Sequence, residues 1–172
     1  MLLADLAGSQ DADLEHIDWE YGYTPLLWAA RKGSAELIRF LLEEGADANA
    51  SCAQGGNRGT TALMEATVWS TNSHPHIAAM KALLGDDGHP STDINAKRGD
   101  GATALCLAAW VGNEPACRVL LEHKADPSIK YMGKTALQLA RKGKHEALTA
   151  MLRDAGEAWR LKGLFRAASP SF

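Results

Sequence analysis

The chain has 172 residues, 46% of them hydrophobic and 23% charged, with a formal net charge of −3, which fits one globular domain with a substantial core. A net negative charge argues against a nucleic-acid backbone as the main partner, since binding one needs concentrated Lys and Arg. The longest nearly apolar run, Ala102 to Val111, is too short to span a bilayer. Met1-Leu2-Leu3 lacks the basic start of a secretion signal, and three cysteines without C-x-x-C spacing suit a reducing compartment. The expectation is an intracellular protein, cytoplasmic and/or nuclear, that is monomeric and touches neither nucleic acid nor membrane.

In chain order, residues 1–17 hold Leu2, Leu3 and Leu6 and an Ala12-Asp13-Leu14 that echoes Ala46-Asp47-Ala48. They read as a degenerate N-terminal half-repeat that caps the first full repeat, with a frayed terminus as the alternative. From Gly22 to Ala50 the chain then spells two short helices. Thr24 is a good N-cap, Pro25 fits the first helical position, and Gly33 suits the stop. The second helix places Leu37, Ile38, Leu41 and Leu42 on one face, with Glu36, Arg39, Glu43 and Glu44 towards water. Neither helix buries its apolar face alone.

The pattern returns three times. Thr24 is matched by Thr61, Thr103 and Thr135, each two residues after a glycine (Gly22, Gly59, Gly101, Gly133). The leucines that come next are Leu26, Leu63, Leu105 and Leu137, and the paired apolar positions recur as Ala79/Met80/Leu83/Leu84, Ala116/Cys117/Leu120/Leu121 and Ala147/Leu148/Met151/Leu152. Asp47, Asp93 and Asp126 recur after the second helix. With insertions removed the period is about 33 residues, which resembles the ankyrin repeat over residues 18–153. The resemblance implies an all-α solenoid of helix-turn-helix pairs linked by hairpin loops, a short right-handed stack of four repeats at 18–50, 51–96, 97–129 and 130–153. Residues 154–172 are expected to be a helical cap or tail that docks Trp159, with a disordered linear motif as the alternative.

Repeat two carries three insertions, around Cys52–Arg58, Ser70–Pro75 and Gly85–Thr92, whose Gly, Asn, Asp, Ser and Pro content reads as loop. The family's usual His after Thr-Pro-Leu is replaced by Leu27, Met64, Cys106 and Gln138. That departure puts the hydrogen bonds between repeats in doubt and shifts the expected stability towards apolar stacking, with repeat two the weakest unit.

No catalytic constellation appears: there is no Ser-His-Asp or Cys-His spacing, no phosphate loop and no carboxylate pair on a rigid element. His74, His76 and His89 with Cys52 match no zinc spacing and read as solvated loop residues. Cys106 and Cys117 read as buried free thiols. Arg98-Gly99-Asp100 reads as a hairpin turn and not as an adhesion motif. No metal, cofactor or catalytic residue is expected, and the chain is expected not to be an enzyme.

The resemblance implies a non-catalytic scaffold, adaptor or inhibitor that binds another protein on its concave face, built from hairpin tips and first helices. Those positions are Tyr21, Tyr23, Arg31, Lys32, Arg58, Trp69, Asp100, Trp110 and Tyr131. Trp69 and Trp110, in nearly equivalent places of adjacent repeats and flanked by Val68 and Val111, form the expected hot spot; the alternative is that the 70–76 loop covers them. Trp28, inside the first helix, is expected to be packed. The alternative function is a regulatory or chaperone subunit acting through the repeat-two loops.

Overall fold

The protein is described by a computed structural model over residues 13–54, 58–69, 74–85 and 92–167. Residues 1–12 of the expected cap, part of the first and most of the second and third repeat-two insertions, His89 and the last five residues lie outside the described residues.

Each helix pair starts where the threonine lies. Gly22, Gly59, Gly101 and Gly133 take left-handed φ of 70, 83, 88 and 73°, which reverses the chain at low steric cost only for glycine. The Thr24, Thr61 and Thr103 hydroxyls then accept the N–H groups of Leu27, Met64 and Cys106 at 3.4, 3.4 and 3.3 Å. At Thr135 the Gln138 side chain reaches back to the Thr135 N–H at 3.0 Å. Orphan donors of each first turn are thus satisfied. The resulting inner helices are α1 (Pro25–Lys32), α3 (Ala62–Trp69), α5 (Ala104–Val111) and α7 (Ala136–Lys142). Their outer partners are α2 (Ala35–Glu43), α4 (His74–Leu84), α6 (Glu114–Glu122) and α8 (Glu146–Ala167).

The inner helices pack on one another in a row, and so do the outer ones, giving two layers. Small side chains permit the close inner spacing: Ala29, Ala30, Ala62, Ala66, Ala104, Ala108, Ala109, Ala136 and Ala140 are all buried. Leu26, Leu63 and Leu105 plug the layers at 1% exposure each, and burial of each such leucine stabilises by about 2 kcal/mol. Outer Ile38, Met80, Cys117 and Leu148 close the core from the other side. Strand content is slight: β1 (Lys130–Tyr131) pairs antiparallel with β2 (Lys134–Thr135), and Ser51 bridges Thr61. The architecture is an all-α repeat solenoid. Beyond residue 153 the outer helix α8 continues without a break to Ala167.

Hydrogen bonds between repeats are present, contrary to the expectation drawn from the missing histidines. Asp47, Asp93 and Asp126 each accept the N–H two residues on, from Asn49, Asn95 and Ser128, at 2.8–2.9 Å. The Asn49 side chain then accepts the Asp93 N–H at 2.7 Å, and Asn95 accepts that of Asp126 at 2.9 Å. Residues 13–15 supply a rung before these: Asp13 accepts the Glu15 N–H at 3.1 Å, and the Glu15 carboxylate accepts the Asp47 N–H at 2.9 Å. At the far end the Ser128 hydroxyl turns back to its own Asp126 at 2.6 Å. Asn113 adds a bond from Nδ2 to the Thr67 carbonyl at 2.9 Å. The network has moved from the helix starts to the loops after the outer helices.

Two readings of repeat two also change. Cys52 is buried at 1% exposure, its main chain pairing with Thr60 and Gly59 and its thiol lying 3.1 Å from the Tyr21 carbonyl. The hairpin base needs a small apolar side chain there. His76 lies within α4, its ring against Gly33 and its Nε2 3.0 Å from the Arg31 carbonyl. It joins repeat one to repeat two and is not a solvated loop residue.

Candidate binding face on the inner helices

The C-terminal ends of the inner helices carry three exposed large apolar side chains, Trp69 at 48%, Trp110 at 45% and Val111 at 40%, while Trp19 and Met132 on the hairpins are more exposed still. Residues 70–73 of the loop expected as an alternative cover lie outside the described residues, and only about half of each tryptophan is covered. Their neighbours are set by a carboxylate. Glu65, the one ionisable residue of α3, is 5% exposed. One of its oxygens accepts the Tyr23 hydroxyl and the other accepts the Trp69 indole N–H at 3.0 Å. A buried carboxylate tolerates this position because both oxygens have donors. Burial, and then the Glu65 carboxylate, push the Tyr23 hydroxyl well above its usual ionisation range.

Around this pair an aromatic group assembles. Tyr21, Tyr23 and Trp28 have ring centroids 5.4–6.1 Å apart in tilted and edge-on arrangements, the geometry that aromatic quadrupoles favour. Asp18 holds the turn by accepting the N–H groups of Glu20, Tyr21 and Tyr23, and accepts the Trp28 indole N–H at 2.9 Å. Arg31 stands among the rings, its guanidinium 4.8 Å from the Trp69 centroid and 5.5–5.9 Å from those of Trp28, Tyr23 and Tyr21. One repeat pair further on, Lys142 Nζ lies 5.1 Å above the Trp110 ring, and Trp110, Leu139, Lys142 and Gly143 line a shallow cavity of about 260 Å³. Contacts of this kind contribute about 0.5–1 kcal/mol when exposed.

Of the residues expected on this face, Tyr21, Arg31 and Trp69 come together, and Trp110 lies further along the inner row. Lys32 is exposed at the edge. Two expectations need correction. Tyr23 is 3% exposed and Tyr131 9% exposed, so neither ring offers contact area. Tyr23 is drawn under the aromatic group by Glu65. Tyr131 sits at the hairpin base beside the Arg98–Asp100 pair. Arg98 grips Asp100 with two nitrogens at 3.0 and 2.6 Å, and this guanidinium holds the Asp100 carboxyl far below its usual range. Both charged ends of Arg98-Gly99-Asp100 are therefore committed to each other. Arg58 is exposed, its carbonyl accepting the Gly99 N–H at 3.0 Å, away from the tryptophans in sequence and element.

Glu65 and Trp28 also build this face, although the repeat pattern does not single them out as contact residues; Lys142 stands where the repeat pattern places the fourth helix's contribution. Glu65 had a signal: a lone acid in an otherwise uncharged helix, four residues before a tryptophan. Trp28 is half-buried, its ring split between core and cluster.

The remaining groups are quieter. Cys52, Cys106 and Cys117 are buried free thiols, and among the described residues no three His, Cys, Asp or Glu side chains converge on a metal-sized point. Burial pushes the Cys117 thiol up to about 12, with Cys106 and Glu114 adding to it. A raised acid pKa stabilises the fold below the unfolded value of 9.0 and ceases to do so as pH rises past it. Between pH 9 and pH 10 the Cys117 share of the unfolding free energy should therefore fall by about 1 kcal/mol. Urea titrations at both pH values check this, and Cys117→Ala should flatten the difference.

At the C-terminal end Trp159, 37% exposed, lines a groove with Pro127, Leu137 and Leu152. Among the described residues no helix is long and apolar enough to cross a membrane.

Comparison with known proteins gives a consistent result. The family described as ankyrin repeats (3 copies) matches residues 2–97 and again 70–160. The palmitoyltransferase AKR1 of Lachancea kluyveri is 33% identical over 117 residues, 68% of this chain and 15% of that protein. The human transient receptor potential cation channel subfamily A member 1 is 32% identical over 149 residues, 84% of this chain and 12% of the channel. The ankyrin repeat and SAM domain-containing protein 6 of Danio rerio is 33% identical over 133 residues, 69% of this chain and 18% of that protein. The chain thus spans less than a fifth of the length of each of these relatives.

Proposed function

We propose that this chain, which belongs to the ankyrin-repeat family, binds a partner protein on the face formed by its inner helices. Ankyrin repeats generally mediate protein–protein interaction, and the finer reading is a non-catalytic scaffold, adaptor or inhibitor that acts as a monomer inside the cell. The observation that carries it is the exposure of Trp69 and Trp110, at 48% and 45%, on a face where Glu65, Arg31 and Lys142 fix the rings from beneath and beside. Large rigid aromatic rings held in one orientation lose little entropy on binding, and tryptophan and arginine are enriched where binding energy concentrates. Two of these relatives, a palmitoyltransferase and a cation channel by name, differ in activity yet both resemble this chain, as suits a module that recruits and does not itself catalyse.

Affinity capture from extract tests the reading, with the wild-type chain compared against Trp69→Ala/Trp110→Ala. The double variant should remain folded by circular dichroism, because both side chains are about half exposed, and should lose at least 90% of a specifically captured partner, equivalent to about 1.4 kcal/mol or more. Equal capture by a folded variant would move the binding surface elsewhere.

A further inference from the structure

The cations on this face have an unusual status. Arg31, Lys32 and Lys142 make no ion pair with any carboxylate among the described residues, and two of the three lie against indole rings. Arg31 is confined by four aromatic rings, so little of the rotamer entropy that usually opposes a salt bridge remains to be lost. Between the two ring-held cations lie Val68, Trp69, Trp110 and Val111, from the adjacent helices α3 and α5. The order along the inner row is cation, apolar pair, apolar pair, cation.

Resting on the concave-face reading, we propose that the occupant is an extended peptide segment with a bulky apolar centre flanked by two carboxylates. The apolar centre covers Trp69 and Trp110, and the carboxylates meet Arg31 and Lys142. Neighbouring helices pack about 8–10 Å apart, and each cation lies about 5 Å from its ring. The two cations are therefore roughly 10–20 Å apart, a span of about three to six extended residues at about 3.3 Å each. That spacing sets the sequence rule: acid, about two to five residues including a Leu, Ile or Phe, acid. Arg31 offers a planar fork and Lys142 a point charge, so the carboxylate at Arg31 contributes more to register.

The test uses the full chain and fluorescein-labelled peptides. The probe is Glu-Ser-Leu-Leu-Ser-Glu, and its control Gln-Ser-Leu-Leu-Ser-Gln differs in charge alone. Anisotropy titrations should show the acidic probe binding about tenfold more tightly at low salt, with the preference falling to about twofold in 0.5 M NaCl. Lys142→Gln, at an exposed site, should lower acidic-probe affinity about three- to fivefold, and Arg31→Gln should lower it further, each with a smaller effect on the control peptide, which senses these cations only through the rings they hold. Equal binding of both peptides, lost in Trp69→Ala/Trp110→Ala, would overturn the acidic partner and leave the concave face standing. Binding unaffected by the double tryptophan variant would overturn the face itself and the proposal with it. Absence of acidic-probe binding up to millimolar concentration, or tighter binding of a dT10 oligonucleotide, would overturn the proposal.

Discussion

Glu65→Ala lowers the unfolding free energy by about 2–4 kcal/mol, the largest effect expected from a single polar side chain in this protein. The loss has two parts. The buried Tyr23 hydroxyl is left without its acceptor, which alone costs about 1–3 kcal/mol. The Trp69 indole N–H is also released, and the vacated volume beneath the rings adds a cavity cost. Urea denaturation followed by far-ultraviolet circular dichroism gives the number. Glu65→Gln separates the parts: the amide keeps one acceptor oxygen and turns an NH₂ towards one donor, so it should cost about 1 kcal/mol. Tryptophan fluorescence should redden in Glu65→Ala as Trp69 loses its tether. A stability change below about 0.5 kcal/mol, the range of ordinary surface substitutions, would show that the Tyr23–Glu65–Trp69 group does not hold the inner face.

Gly112→Ala lowers stability by about 2–4 kcal/mol for a different reason. Gly112 closes α5 with φ of 77°, where its N–H caps the Ala108 carbonyl. A side chain at this conformation costs about 1–2 kcal/mol. The added Cβ would also lie 2.4–2.7 Å from three atoms of the His145 imidazole. That ring sits in a slot left by two glycines, since a Cβ added at Gly143 would likewise lie 2.5 Å from its Nε2, and the His145 carbonyl accepts the Thr149 N–H at 2.9 Å within α8. Gly133→Ala is the matched control. Its φ of 73° imposes the same backbone strain, but nothing lies within 4 Å of the new methyl, so only about 1–2 kcal/mol should be lost. Thermal unfolding of both variants, with Gly112→Ala/His145→Ala as a third, isolates the steric part. Equal losses in the two single variants would refute the close contact.

Much of the architecture was legible because each repeat states it locally. A glycine that reverses the chain, a threonine that caps and a leucine that plugs recur in one register, and tertiary packing agrees with each local preference. What was not legible depended on contacts between repeats. Tyr23 reads as a surface tyrosine because nothing nearby in sequence reveals that Glu65, 42 residues later, accepts its hydroxyl proton in a hydrogen bond. The absent histidines suggested that polar links between repeats were lost, whereas Asn49 and Asn95 make them from loops that look like ordinary turns. The exposure of Trp69 and Trp110 depended on what lies over them, which periodicity does not report. Tyr131 is hidden for a further reason: its neighbours are Arg98 and Asp100 of the preceding repeat, about 30 residues earlier.

The Asp–Asn rungs also give the array a polarity. At each rung the acceptor belongs to the earlier repeat and the donor is the main chain of the later one. Loosening an earlier repeat therefore strips a partner from its successor, while loosening a later one leaves only a solvent-facing side-chain oxygen behind. At Ser128 the hydroxyl is spent on its own turn, so no acceptor is handed on. The third pair thus hands no latch to the fourth, whose outer helix runs on past residue 153, and Ser128→Asn would supply an acceptor to a loop of the earlier kind grafted onto that fourth pair.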